Sequence, residues 1–315
     1  MRGKKQNSLA AWAAVIGGVI NLVDVILHLG VHRTGTTTLQ NYLENNRDNL
    51  DDISTEFWGP NRTRSGLFLG LMKKPRDVND MVRKRGNLSC DLMRMEMGRL
   101  EMARVKRLIV SEENMIGVMG ENLAEAGLYP DAKARLERFS NAFEDRCRQI
   151  ILSIRSYEDY WASVLAYTIK RGRELPDHAM LDRLTNQTRH WRDVIVDIAL
   201  AFPKAEVQVW KFEKTVGKPA HQLARLTGGA VPTQMRANSR WRNASPDISK
   251  LRQILLERGE AQAAYSLPGG NMRWQPFDSD QVSRLRTQYD KDIKWLRAGA
   301  DGVATYVDDK TAGFE

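Results

Sequence analysis

The chain has 315 residues, 42% of them apolar and 28% charged, the balance of an ordinary folded protein with length enough for one large α/β domain or two small ones. Two cysteines, Cys90 and Cys147, exclude a disulfide-dense scaffold and a four-cysteine zinc site, and read as free thiols. A formal net charge of +9 fits an anionic ligand or surface, and without a basic–aromatic stripe or a named nucleic-acid motif no nucleic-acid partner is expected.

In chain order, Met1-Arg-Gly-Lys-Lys-Gln6 is basic and Leu9 to Val23 is largely apolar. This pattern suits a signal peptide or a short anchor. Asn21 and Asp24 interrupt it before the roughly twenty residues a membrane span needs. Residues 1–22 are therefore expected to be a dispensable leader, a misassigned start or a membrane anchor, and 23–315 one domain. The expected location is cytoplasmic, with membrane contact through the apolar segment.

Val23 to Leu27 reads as a buried strand, and Thr36 to Asn45 as a helix with Leu39, Tyr42 and Leu43 facing the sheet. Asn46 to Arg64 is polar, broken by Gly59-Pro60, and Gly66 to Met72 is a short apolar piece. Asp77 to Arg104 predicts a helix whose Met93, Met95, Met97 and Met102 fill core gaps. Further strands are expected at Arg107–Ser111, Gln149–Ile154 and Val207–Trp210. Helices are expected at Asp131–Arg146, Asp193–Phe202, Ser245–Glu260 and Asp278–Leu296, and one from a capping box at Ser156–Asp159 to about Arg171. Strands alternating with helices predict a three-layer α/β/α fold with a mostly parallel central sheet. Trp161, Tyr167, Trp191 and Trp210 read as core or pocket wall.

Between the first strand and its helix lies His28-Leu-Gly-Val-His-Arg-Thr-Gly-Thr-Thr-Thr-Leu-Gln40. Strand, glycine-bearing turn and helix make a phosphate-binding loop, in which backbone N–H groups and a helix N-terminus face an anion. Gly30 and Gly35 frame four residues, as in a Walker loop, and Thr36 and Thr37 stand where hydroxyls are wanted. The lysine expected after the second glycine is replaced by Thr36, and the only strong cation is Arg33. His28, on the strand, reads as a core histidine.

This loop, the pair Arg155 and Ser163, and the glutamates ending the second strand resemble the sulfotransferase family that uses 3′-phosphoadenosine 5′-phosphosulfate, most of all bacterial members acting on carbohydrates. The resemblance spans about residues 25–250 and implies a P-loop-like fold. It gives binding of the 5′-phosphosulfate to Arg33, Thr34, Gly35, Thr36, Thr37 and Thr38. The usual lysine of the family maps onto Arg33, which supplies charge without donating a proton. Arg155, ending a strand, and Ser163, eight residues on, would hold the 3′-phosphate. The segment Arg240-Trp-Arg-Asn-Ala-Ser245 resembles one that covers the nucleotide, which makes Arg240, Arg242, Asn243 and Ser245 candidate contacts.

A weakly nucleophilic acceptor needs a base. Glu113 aligns best with the catalytic carboxylate of similar enzymes; Glu112 and His32 remain alternatives. Adjacent glutamates point to opposite sides of an extended strand, so one of the two faces the crevice. Acceptor specificity is expected in the polar stretches 46–80 and 172–190. The implied activity is sulfuryl transfer to a hydroxyl or amine of a small or glycan acceptor, with no metal required. The alternatives are a P-loop kinase or NTPase acting on a small molecule, and a non-catalytic binder on the same scaffold.

Overall fold

The computed structural model describes residues 21–236 and 245–307. Its centre is a sheet of six parallel strands: β1 (Asp24–His28), β2 (Thr55–Trp58), β3 (Arg107–Ser111), β4 (Cys147–Ile154), β5 (Glu206–Lys211) and β6 (Thr305–Val307), in the order β2-β3-β1-β4-β5-β6. The helices of eight residues or more are α1 (Thr36–Asn45), α2 (Asp80–Met102), α3 (Ala132–Phe143), α4 (Tyr157–Lys170), α5 (His178–Thr185), α6 (Trp191–Ala201), α7 (Pro219–Leu226), α8 (Ile248–Glu257) and α9 (Ser279–Arg297).

The apolar runs of the central strands make both faces of the sheet dry, as a parallel sheet requires. Val25 and Leu27 of β1, Leu108 and Val110 of β3, and Ile150 and Leu152 of β4 enter one core, together with α3, α4 and α6. The alternate residues Ile26, Ile109 and Ile151 enter a second core against Leu39, Tyr42 and Leu43 of α1 and Leu223 and Leu226 of α7. Two cores on opposite faces of one sheet, produced by a side-chain period of two, make the three-layer α/β/α architecture.

The chain leaves β1 toward β2 on one side and leaves β4 toward β5 on the other. Adjacent strands whose connections diverge open a crevice at their carboxyl ends, where α/β sheets bind ligands. Gly30 to Gly35 follow β1, and Arg155 follows β4, so both flank that crevice.

Several local expectations are corrected. Residues 55–58, inside the stretch read as polar, form β2, and 178–185, read as loop, form α5. Of the methionines on α2, Met93 and Met97 are buried with Cys90, whereas Met95 and Met102 are exposed, because they lie on the opposite side of the helix. Ser156 caps α4 without a side-chain bond; its N–H instead donates to Glu213 Oε1 at 3.3 Å. Cys90 and Cys147 are free and buried, and burial raises both thiols, Cys147 to about 12. Among the described residues no helix is long and apolar enough to cross a membrane. Of the leader expected at residues 1–22, residues 1–20 lie outside the described residues.

Candidate functional site

The loop after β1 is braced from within. Gly30 has φ +45°, and a Cβ there would lie 2.5 Å from Thr36 Cγ2 and 2.6 Å from Thr36 Oγ1. Only glycine lets the loop close this tightly on α1. Val31 O accepts from Thr34 N (3.2 Å), Thr34 Oγ1 (2.6 Å) and Thr36 Oγ1 (3.3 Å). Gly35 caps α1 in the left-handed region, and the first amides of a helix lack intrahelical acceptors.

A cavity of about 730 Å³ opens over this turn. Arg33, Gly35, Thr36, Thr37 and Thr38 line it, and so do Arg155 and Ser163 from the far side of the crevice. Thr34 is corrected: its side chain is buried and both its amide and hydroxyl are turned to Val31 O, so it shapes the loop and does not line the cavity. Arg242 and Asn243, with Arg240, lie outside the described residues. Ser245 lines the cavity.

The two regions read separately in the sequence converge. Arg33 Nε donates to Ser163 Oγ at 2.9 Å, Arg33 Nη2 donates to Ser245 Oγ at 3.0 Å, and the two serine hydroxyls are 2.6 Å apart. Arg155 Nη1 donates to Arg33 O at 2.8 Å. Each guanidinium lies over a ring, Arg33 over Tyr167 at 4.9 Å and Arg155 over Phe212 at 4.6 Å. The indole of Trp191 fixes the strand end by donating to Arg155 O at 2.8 Å. Arg155 Nε is a buried donor without a hydrogen-bond partner. Burial, with the neighbouring charge of Arg273, pushes the Arg155 guanidinium down to about 10, and burial also lowers Arg33. Both remain cations at neutral pH. Arg273 lines the same cavity and pairs with Asp159 at 3.0 Å.

On the other side of the loop, at the end of β3, the two glutamates separate. Glu112 is fully buried, while Glu113 faces the cavity. Gln40 Nε2 donates to Glu113 Oε2 at 3.0 Å, and Arg64 Nη2 donates to Glu113 Oε1 at 2.8 Å. Burial works to raise the Glu113 carboxyl, but the charges of His32 and Arg64 and the Gln40 hydrogen bond outweigh it and leave it below the usual carboxylate range. His32 is itself held below its ordinary value by burial, so it is neutral near pH 7, and Arg64 and Gln40 do the work there.

His32 has no free lone pair. Nε2 lies 3.1 Å from Asn114 Oδ1 and Nδ1 lies 2.9 Å from Tyr129 Oη. With Asn114 presenting its carbonyl oxygen, Nε2 carries the proton and Nδ1 accepts from the Tyr129 hydroxyl. Of the three candidates Glu112, Glu113 and His32, Glu113 is the carboxylate that lines the cavity, which Glu44 and Asp247 also line. His28 is a core histidine, with Nδ1 2.8 Å from Ser111 Oγ.

Of the stretches expected to hold an acceptor, Phe57, Pro60, Asn61 and Arg64 line the cavity beside Asn41 and Glu44 of α1. None of residues 172–190 lines it; α5 packs against α9 instead. Gln40, Arg64, Phe212 and Arg273 were not singled out in the sequence. For Gln40 a signal existed, since it lies one helical turn after Thr36 on the same face. Arg64 and Arg273 stand in polar segments without periodicity, where no local pattern marks them.

Comparison of the chain with models of known families, with curated proteins and with solved structures gives no match.

Proposed function

We propose that the protein transfers a sulfuryl group from 3′-phosphoadenosine 5′-phosphosulfate to a hydroxyl or amine of an acceptor, with a carbohydrate as the favoured class. The observation that supports this most is the convergence of Arg33, Arg155 and Ser163 on one cavity whose other side carries an accessible carboxylate, Glu113. The donor set fits a nucleotide with two anionic groups. Arg155 offers a buried N–H without a partner, Ser163 and Ser245 offer hydroxyls, and the first turn of α1 offers amides. A volume of about 730 Å³ lies in the range of small-molecule sites.

The donor supplies an activated sulfuryl group on its 5′-phosphate. Glu113 takes the proton of the acceptor hydroxyl, whose oxygen forms the new bond to sulfur as the bond from sulfur to the phosphate oxygen breaks. The electron pair of that bond stays on the departing phosphate oxygen, and Arg33 offsets the charge that develops there. To do so its guanidinium exchanges the hydroxyls of Ser163 and Ser245 for anionic oxygens. Arg155 and Ser163 hold the 3′-phosphate, the group that separates this donor from ATP. The products are a sulfate ester or sulfamate and adenosine 3′,5′-bisphosphate. Against the kinase alternative, the acid nearest the place of a Walker-type aspartate, Glu112, is already bound by Arg64 and Thr63.

The test is turnover of the sulfur-labelled donor without magnesium, using a panel of sugars, phenols and amines. The proposal expects label to move to an acceptor with release of the bisphosphate. Hydrolysis of ATP that needs magnesium, with no label transferred to any member of the panel, would contradict it.

A further inference from the structure

Glu112 and Arg64 lie outside the nucleotide end of the cavity, yet their arrangement is more specific than an ordinary ion pair. Glu112, fully buried at the end of β3, accepts from Arg64 Nε at 2.9 Å and Arg64 Nη2 at 2.7 Å, a two-point fork. It also accepts from Thr63 Oγ1 at 2.7 Å and from the Asn114 amide at 3.1 Å. The Nη2 that reaches Glu112 also reaches Glu113 Oε1, so one guanidinium spans both carboxylates. The second oxygen of Glu113 is held from α1 by Gln40, whose Nε2 also lies 3.2 Å from Ser111 Oγ. Glu113 is therefore gripped at both oxygens by groups from two different elements.

We propose that Glu112, Arg64 and Gln40 form a cradle that positions Glu113 as the base, with Glu112 as the counter-charge that limits how far Arg64 weakens it. This rests on the transfer reaction proposed above. A cation at hydrogen-bond distance stabilises a carboxylate and weakens it as a base. Arg64 alone would orient Glu113 at that cost. Sharing the same guanidinium with a buried anion eases the conflict: the N–H remains directed at Glu113, while the field of Glu112 opposes that of Arg64. The groups facing Glu113 are Arg64 from the segment after β2, Gln40 from α1, His32 from the loop, His28 from β1, Tyr129, and Glu112 beside it. Burial holds both histidines below and Tyr129 above their ordinary values, so all three are neutral near pH 7 and Arg64 and Glu112 are the charges in play. Asn114 extends the cradle to the loop, since its amide binds Glu112 and its side-chain oxygen binds His32. All three are positioning residues: Glu113 is the group that meets the acceptor.

The experiment is a carbon-13 titration of the Glu113 side-chain carboxyl in the full chain, its signal assigned by Glu113→Gln, in wild type, Glu112→Gln and Arg64→Ala. Binding of adenosine 3′,5′-bisphosphate is measured on the same samples. The two substitutions should move Glu113 in opposite directions, down when Glu112 loses its charge and up when Arg64 is removed, with nucleotide affinity changed less than about threefold. A role confined to packing, with neither charge felt at Glu113, would move neither titration. Should Arg64→Ala leave Glu112 too poorly compensated to fold, the isosteric Glu112→Gln still decides by the direction of its shift. An unchanged or raised Glu113 titration in Glu112→Gln would overturn the cradle. Failure of wild type to bind the bisphosphate would instead overturn the transfer reading and leave the titration to judge the cradle by itself.

Discussion

Arg33 has backbone φ 67°, a left-handed conformation unusual for a residue with a side chain and worth on the order of 1 kcal/mol of strain. That conformation aims its guanidinium at Ser163 while its carbonyl receives Arg155. The same contacts thus hold Arg33, Arg155 and Ser163 in register. Removing the side chain leaves the carbonyl and its Arg155 contact in place. Arg33→Ala is therefore expected to lower turnover by about 10²–10³, the usual cost of losing one group aimed at a developing anion. Nucleotide affinity should fall by less than about tenfold, because only one of several anion contacts is lost. Steady-state kinetics beside equilibrium binding separates the two effects, and unchanged turnover would remove Arg33 from the chemistry. At the same scale, Glu113, the proposed base, was legible in the sequence as one of three candidates. The choice among them needed geometry, because only the folded chain shows that Glu112 is buried and that both nitrogens of His32 are engaged.

At the scale of elements, the site is the meeting of three strand ends, β1, β3 and β4, and the loop after β1 joins them. Its closure depends on Gly30, whose missing Cβ is what allows Thr36 to pack where it does. Gly30→Ala should cost about 1–3 kcal/mol through backbone strain and overpacking, and should abolish bisphosphate binding by shifting the first turn of α1. Thermal unfolding with a binding titration reads both; a variant as stable and as tight as wild type would contradict this account of the loop. The four inner strands were legible because burial on both faces demands continuous apolar runs, as in Leu108-Ile-Val110 and Ile150-Ile-Leu152. The edges were not. β2 is four residues of mixed polarity and β6 is three, and both acquire their pairing only from the neighbour the sheet provides. Because β2 was invisible, so was the position of Arg64, which reaches Glu113 only because β2 lies beside β3.

At the scale of the whole molecule, the net charge of +9 includes a cationic end of the cavity in Arg33, Arg155 and Arg273. Positive charge of that kind draws anions and speeds their encounter, an effect that weakens as salt rises. Stability carries its own pH signature through His28. Burial, opposed in part by Glu113, lowers its pKa to about 4 from 6.5. Between those values the unfolded chain binds the proton and the folded chain does not, so the stabilisation is complete above pH 6.5 and is lost as pH falls toward 4. The loss from this one residue is about 3 kcal/mol. Urea unfolding between pH 7 and pH 4 should therefore show a steeper decline in wild type than in His28→Gln; parallel declines would show that another group governs acid sensitivity.

The central claim is that the cavity recognises a nucleotide by its 3′-phosphate. The most direct measurement is calorimetric titration of the protein with adenosine 3′,5′-bisphosphate and, separately, with ADP, both without magnesium. A preference for the 3′-phosphorylated nucleotide of at least about tenfold is predicted, the worth of one charge-assisted contact to Arg155 and Ser163. Equal affinities, or binding of ATP alone and only with magnesium, would contradict it.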